Sequence, residues 1–179
     1  LTVAAAAEVP EVARAAQRAG RPARAHVKLD TGMSRSGTLW TEVAPLAAAL
    51  AAAGAVRLEG LYTHFATADE GDLTFTHEQL DRFGRGASAF GASAELCRHA
   101  ANSAALAELP AAHLDMVRSG IALWGYQASD ALHTRLPLQP CLRLTARLMQ
   151  VKTVPAGSGC GYGLTHRCQR DTRLGLVGV

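Results

Sequence analysis

The sequence predicts an α/β fold followed by a smaller all-β region. Over residues 1–125, short apolar stretches typical of buried strands alternate with helical patterns about every 30 to 40 residues, as in β/α units with a parallel sheet. From residue 137 the helical patterns give way to an apolar–polar alternation with a period of two, which indicates half-buried strands. We therefore predict part of a (β/α)8 barrel of the TIM type in residues 1–136 and the first strands of an all-β domain in residues 137–179.

The composition is that of a globular protein. The 179 residues are 49% hydrophobic and 18% charged, so the chain can bury a core and is too apolar for a disordered protein. The net charge of +3 is spread without a block of basic residues, so we expect no nucleic-acid or membrane partner. The four cysteines lack metal-finger spacing, and no apolar run could span a bilayer. We therefore expect a cytoplasmic protein without a metal site.

The elements of the α/β part follow in order from their patterns. A first helix over residues 8–18 ends at Gly20-Arg21-Pro22, where a C-cap glycine precedes a proline. Apolar stretches predict three strands and a weaker fourth, over residues 25–29, 58–64, 96–100 and 113–117. Apolar residues at helical spacing predict two further helices, over residues 43–53 and 77–90.

The elements of the β part are shorter. Leucine and alanine alternate with arginine and threonine over residues 142–148, which predicts a strand. A glycine-rich turn over residues 156–161 and an apolar run over residues 174–179 follow. The chain starts without Met and ends inside this apolar run, so we expect an internal piece of a longer protein.

Polar residues directly follow the predicted strands of the α/β part. They are Asp30-Thr31-Gly32, His64, Asn102-Ser103 and Arg118. In a β/α barrel the ends of the strands converge on one face, where active sites lie. A single Thr or Ser at such a position is more typical of a turn or a helix cap. Four polar strand ends in succession favour a shared site.

Five stretches resemble motifs of the bacterial alanine racemases, in that family's order and spacing. They are residues 26–35 (HVKLDTGMSR), 58–69 (LEGLYTHFATAD), 99–104 (HAANSA), 115–125 (DMVRSGIALWG) and 161–165 (GYGLT). Members of this family bind pyridoxal phosphate (PLP) on a β/α barrel joined to a C-terminal β domain. The resemblance covers nearly the whole chain and implies the same two-part fold that the patterns predict.

The resemblance also implies how the cofactor is held. Asn102, Ser103, Gly120 and Ile121 match the positions that contact the PLP phosphate, where hydroxyl and backbone N–H groups are suitable donors. Arg118 matches the arginine that faces the pyridine nitrogen. A guanidinium stays charged and can only donate, so it disfavours protonation of this nitrogen and favours racemisation over transamination or elimination. Without the motif, Gly120 would be a turn glycine and Arg118 a surface ion-pair residue.

Two further matches concern proton transfer. Racemisation needs one acid/base group on each face of Cα. Tyr162 matches the family's tyrosine base, which reaches the active site of the neighbouring subunit, so a head-to-tail homodimer is implied. His64 matches the histidine between this tyrosine and Arg118, with an orienting and polarising role. Outside the motif, a lone His at a strand end is more often structural, and Tyr162 could be an ordinary turn tyrosine.

The last matches concern the substrate and the second base. Arg35 matches the arginine that holds the substrate carboxylate, and Lys28 matches a lysine that is carbamylated in many members and pairs with that arginine. A free Lys28 is the alternative. The family's Schiff-base lysine, on the first barrel strand, is matched by neither Lys28 nor Lys152. We therefore expect the middle part of an alanine racemase, inactive by itself.

The resemblance implies interconversion of L-alanine and D-alanine for the bacterial cell wall. A racemase of broader range, acting on serine, is a close alternative. A non-catalytic PLP-binding barrel and an inactive truncated product are the alternatives from other classes. A metal-dependent barrel hydrolase has little support, because His64, His99 and His113 do not form an H-x-H or H-x-x-x-H pair.

Overall fold

The computed structural model describes residues 1–91 and 96–178. Two compact units make up the chain, Leu1–Cys141 and Leu142–Val179. Within the described ranges, the structure contains no helix that is both long and apolar enough to cross a bilayer.

The first unit is built around a parallel sheet. Its strands are β1 (Thr2–Val3), β2 (Ala23–Asp30), β3 (Thr38–Leu39), β4 (Val56–Tyr62) and β5 (Cys97–His99). They lie in the order β1-β2-β4-β5, and β3 pairs with the end of β2. All these pairs are parallel, so the partial α/β barrel architecture is confirmed. The three stronger strand predictions are confirmed as β2, β4 and β5.

Helices connect these strands, as expected for β/α units. They are α1 (Val9–Arg18), α2 (Ala44–Ala52), α3 (Thr74–Ala87) and α4 (Ser103–Glu108), with 3-10 turns at Ala6–Glu8, Ser88–Phe90, Pro110–Ala112 and Ile121–Trp124. The cap predicted for α1 is confirmed, because Gly20 has φ +63° and the next N–H bonds back to the Ala16 carbonyl. Helix α3 begins three residues before the predicted start, and the short α4 was not predicted.

Two apolar clusters stabilise the first unit. One lies between the sheet and its helices and includes Val27, Leu29, Leu46, Leu61 and Phe83. The other lies around α4 and is made largely of alanines, with Phe65, Leu109 and Leu132 as its larger members. Side chains of this kind bury the faces of β2 and β4 and leave the strand ends for polar groups.

The weaker strand prediction, over residues 113–117, is wrong. Leu114 has φ +50°, which interrupts an extended backbone. The Asp115 N–H donates to the Arg98 carbonyl at 3.0 Å, but the Arg98 N–H bonds to the Asp115 carboxylate at 2.8 Å. A side chain therefore takes the place of one ladder bond, and the segment passes β5 as a loop.

The second unit consists of two antiparallel pairs. Strand β6 (Leu148–Val154) pairs with β9 (Thr172–Val177), and β7 (Gly159–Cys160) pairs with β8 (His166–Arg167); a 3-10 turn lies at Tyr162–Leu164. The strand predicted over residues 142–148 is wrong, because β6 starts only at Leu148, whose partner is Val177. Residues before Leu148 would need partners beyond β9. The predicted apolar run is β9 in part, and its last residue, Val179, lies outside the described residues.

Candidate active site

The carboxyl ends of β2, β4 and β5 bring the predicted polar residues together. Because the strands are parallel, their ends meet at one edge, where Asp30 ends β2 and Nδ1 of His64 lies 3.4 Å from the Arg118 guanidinium. The positions of Asp30 and His64 follow from strand direction, whereas Arg118 comes from the loop after residues 113–117.

Arg118 is at the centre of these contacts. Its guanidinium donates to the carbonyl oxygens of Thr63 at 2.7 Å and Ala100 at 3.1 Å. It also donates to Nδ1 of His99 at 2.7 Å and to Nδ1 of His64 at 3.4 Å. Burial lowers the pKa of Arg118, but a guanidinium keeps its proton in proteins. Three of the contacts share the two hydrogens of Nη2 and one uses Nη1, so the Nε–H and one Nη1–H remain for other acceptors.

The contacts of Arg118 determine the tautomers of a histidine pair. Since Arg118 only donates, Nδ1 of His99 accepts, and its Nε2–H donates to Nδ1 of His26 at 2.7 Å. His99 is therefore neutral, and burial together with the charge of Arg118 lowers its pKa to about 4. The Tyr62 ring stacks on His99 with centroids 4.8 Å apart, and Arg118 lies over the same ring.

His64 is half-buried and neutral for the same reasons. Burial lowers its pKa first, and the charges of Arg118, Arg35 and Lys28 lower it further. With Nδ1 accepting from Arg118, the proton of the neutral ring lies on Nε2. His64 therefore presents an N–H donor on the side away from Arg118.

Lys28 and Arg35 add positive charge to this edge. Lys28 is buried and donates from Nζ to Ser36 Oγ at 2.6 Å. Burial and the charge of Arg35 lower the pKa of Lys28. Arg35 is exposed, on a loop shaped by Asp30, whose carboxylate accepts the N–H groups of Gly32 and Ser34 at 3.0 Å each.

The residues matched to a phosphate site also lie close together. Ser103 is buried, and its Oγ accepts the N–H groups of Gly120 at 2.8 Å and Ala122 at 3.2 Å, so its own proton is free to donate. Ile121 opens the 3-10 turn that follows Gly120. The Asn102 carboxamide caps α4 by accepting from Ala105 N–H at 2.9 Å. Its side-chain oxygen therefore has a structural role, as the cap of this helix.

Tyr162 lies in the second unit, in the short turn that follows β7. Its side chain is fully exposed, and the glycines on either side both have φ +71°. The structure of its own unit presents this phenol to the surface.

Sequence reasoning did not assign a role to Tyr62, His26, His99 or Gln79. All four lie inside strands or a helix. In a sequence, a polar residue there looks the same as one on the half-exposed face of an ordinary strand or helix. One signal was available, since Gly60 interrupts β4 and a strand glycine often marks a close approach. A Cβ on Gly60 would lie 2.6 Å from the His26 ring.

The positively charged and hydrogen-bond-donating groups at this edge fit an anionic ligand such as PLP. The positive charges of Arg118, Arg35 and Lys28 all act on His64, and the carboxylate of Asp30 acts in the opposite sense on Lys28. A buried hydroxyl with a free proton lies at the Gly120 turn. Phosphate, phenolate and carboxylate groups would all be favoured in this field. Within residues 1–91 and 96–178, no three His, Cys, Asp or Glu side chains form a cluster that could hold a metal ion.

Comparisons with known proteins agree with this arrangement. Residues 1–128 match the family model "Alanine racemase, N-terminal domain", and residues 141–179 match "Alanine racemase, C-terminal domain". The alanine racemase of Desulfovibrio desulfuricans is 42% identical over 167 residues, which cover 92% of this chain and 45% of that protein.

Solved structures give the same result. Alanine racemase from Streptomyces coelicolor superposes with a TM-score of 0.82 at 39% identity, over 97% of this chain and 48% of the other. The Bacillus anthracis alanine racemase with bound L-Ala-P has a TM-score of 0.80 at 31% identity, over 100% of this chain and 47% of the other. This chain thus spans just under half the length of the relatives it matches. Because a family model covers most of its residues, the chain belongs to the alanine racemase family.

Proposed function

We propose that this chain serves a PLP-dependent alanine racemase, in which it supplies the pyridine, phosphate and tyrosine parts of the site. The observation that carries this proposal is the guanidinium of Arg118, held by two backbone carbonyls and by neutral His99. A group held in this way is a rigid, permanently charged donor, which suits a cofactor nitrogen that must stay unprotonated.

The residues that would hold PLP are those of the Arg118 cluster and the Gly120 turn. Ser103 Oγ–H and the N–H groups near Gly120 and Ile121, with Asn102 alongside, would receive the phosphate, and Arg118 would face the pyridine nitrogen. When bound, PLP supplies the electron sink that makes a Cα proton acidic. The sink is moderated by Arg118, which favours return of the proton over side reactions.

Tyr162 and His64 would handle one of the two protons. In one direction of racemisation the phenolate oxygen of Tyr162 would take the proton from one face of Cα while the base on the other face delivers one, and in the reverse direction the Tyr162 phenol would deliver the proton. The Nε2–H of His64, fixed by Arg118, is a donor that favours the phenolate form. The exposure of Tyr162 suits a phenol that acts in the site of a partner subunit, as in a head-to-tail homodimer.

Lys28 and Arg35 would control substrate binding. Arg35 is an exposed guanidinium suited to a substrate carboxylate. The lowered pKa of Lys28 increases its neutral fraction, which is the form that reacts with carbon dioxide. A carbamate at Lys28 would offset the surrounding positive charge and fix Arg35. The substrates would be L- and D-alanine, and the product D-alanine would serve peptidoglycan synthesis in the cytoplasm.

The test is racemisation by the full-length protein. With PLP present, L-alanine in heavy water is expected to reach equal amounts of both enantiomers, each with deuterium at Cα. Serine assayed in parallel measures the breadth of the substrate range. PLP absorbance without any loss of optical activity would contradict the proposal and favour the non-catalytic barrel; absence of both would favour an inactive product.

A further inference from the structure

We propose that Gln79 is a positioning residue, whose buried carboxamide fixes the loop after β4 so that His64 and Arg118 keep their mutual contact. The inference rests on the proposed function for its catalytic consequence. It concerns a residue on α3 that the proposed site does not otherwise use.

The first support is the set of hydrogen bonds that the carboxamide makes. Gln79 is fully buried. Its Oε1 accepts the Ala66 N–H at 2.8 Å, and its Nε2 donates to the His64 carbonyl at 3.2 Å and to Thr31 Oγ1 at 3.1 Å. One side chain therefore holds the backbone on both sides of Phe65, directly after His64. It also ties this loop to the end of β2.

The second support is a chain of hydroxyls whose direction is fixed. Thr63 Oγ1 donates to the Leu29 carbonyl at 2.9 Å, so its single proton is used. Thr31 Oγ1, 2.7 Å away, must then donate to Thr63, which leaves it to accept from Gln79. Both threonines are almost completely buried. The chain thus runs from Gln79 to Thr63, whose carbonyl is the one that holds Arg118 at 2.7 Å.

The third support is that the contact between His64 and Arg118 is sensitive to small movements of the loop. His64 Nδ1 lies 3.4 Å from Arg118, near the outer limit of a hydrogen bond. The His64 carbonyl and the Ala66 N–H are only partly buried, so once they lose the Gln79 carboxamide they can shift towards another partner. A small movement of the loop therefore separates His64 from Arg118. The ring then loses the Nδ1 contact that fixes its Nε2–H donor.

The experiment compares Gln79→Met with Gln127→Met in the full-length protein. Gln127 is the control, because its carboxamide also bonds one backbone carbonyl and one backbone N–H of the same unit, in this case both of Leu136. The first readout is the pKa of His64 in the cofactor-free protein, followed by NMR and assigned with His64→Gln. Burial lowers this pKa most, and the charges of Arg118, Arg35 and Lys28 lower it further.

We expect Gln79→Met to raise the His64 pKa towards its ordinary value, by about half a unit or more, and Gln127→Met to leave it unchanged. Thr31→Val is a smaller change, which removes one hydroxyl of the chain. It should also raise the His64 pKa, but by less than Gln79→Met does. In the active holoenzyme, Gln79→Met should lower kcat by about tenfold and move the acid limb of the kcat/KM profile upward, with KM little changed.

An unchanged His64 pKa in both Gln79→Met and Thr31→Val would overturn the inference, even if both variants melted earlier. A shift equal to that of Gln127→Met would also overturn it, since the effect would then be general loosening. If the wild-type protein failed to racemise alanine, the NMR comparison would still decide the position of His64. The two proposals therefore fail separately.

Discussion

Polar side chains are positioned in opposite ways in two regions of the molecule. One region is the strand ends of the first unit, and the other is the turn of the second unit that carries Tyr162. At the strand ends, buried groups hold one another, and the guanidinium of Arg118 alone bonds to two carbonyls and two histidines. At the turn, a fully exposed phenol is carried between two glycines of positive φ. The first site is determined by side-chain hydrogen bonds within one unit, whereas the second is determined by backbone conformation. A side chain of the second kind is available to a partner.

The largest expected effect tests the functional side of this comparison. Tyr162→Phe removes only the hydroxyl, so the full-length enzyme is expected to lose about 10²–10⁴-fold in kcat, the range for a positioned acid/base group. Because the side chain is exposed, melting temperature and PLP absorbance should stay at wild-type values. Tyr126→Phe, which changes a partly exposed tyrosine of the first unit, is the control. Near-normal turnover in both directions by Tyr162→Phe would exclude it as a base.

Acid should disrupt the first region before the second. His99 has a pKa of about 4 in the folded chain and 6.5 as its ordinary value. Above pH 6.5 it is neutral in both states. As the pH falls from 6.5 to 4, the unfolded chain gains a proton that the folded chain does not, so the free energy of unfolding falls by at most about 3 kcal/mol. His26 and His64, whose pKa values are also lowered, act in the same direction.

Hydrogen exchange on the full-length protein, measured from pH 7.5 to 4.5, checks this expectation. Amides of β2, β4 and β5 should lose protection at a higher pH than those of β6 and β9. His99→Gln keeps an amide in place of the ring and removes its proton uptake, so the pH dependence of the first region should become shallower. Equal loss of protection in both regions, or an unchanged slope in the variant, would contradict the role of His99.

Much of the first region follows from sequence because its signals are local. Apolar runs predict β2, β4 and β5, and their shared direction brings Asp30 and His64 to one edge of the sheet. Arg118 reaches that edge from a loop, held by the Thr63 and Ala100 carbonyls, which no local signal predicts. The register across strands is not local. Tyr62 lies opposite His99 only because β4 and β5 pair at that residue. The same pairing places His99, rather than His64, at the shorter distance from Arg118.

The second region shows where periodicity fails. The alternation of apolar and polar residues over residues 142–148 indicates which side chains would share a face of a strand. A strand also needs a partner for its backbone hydrogen bonds. Strand β9 offers that partner only from Leu148 onward, so the alternating segment and the observed strand share a single residue. The turn that carries Tyr162 depends on positive φ angles at glycines, which the glycine-rich sequence does indicate.

The smallest expected effects are those of three glycine-to-alanine changes, which compare the rigidity of the strand ends with that of the Tyr162 turn. Gly60 has an ordinary φ, but a Cβ there would lie 2.5 Å from the Cys97 carbonyl and 2.6 Å from the His26 ring, so Gly60→Ala should cost about 2 kcal/mol by overpacking. Gly161 has open space and φ +71°, so Gly161→Ala should cost about 1 kcal/mol by backbone strain alone. Gly54 has neither constraint, and Gly54→Ala is the control with almost no effect.

Thermal unfolding of the full-length variants measures all three, and NMR of the His26 and His99 rings separates the causes. Gly60→Ala should disturb both rings, since the new methyl group occupies the place of the His26 ring. Gly161→Ala should leave them unchanged while altering the turn that presents Tyr162. If Gly60→Ala were as mild as Gly54→Ala, the strand pair would be able to relax around the methyl group. The buried cluster would then be no more rigid than the exposed turn, and the distinction between the two regions would be lost.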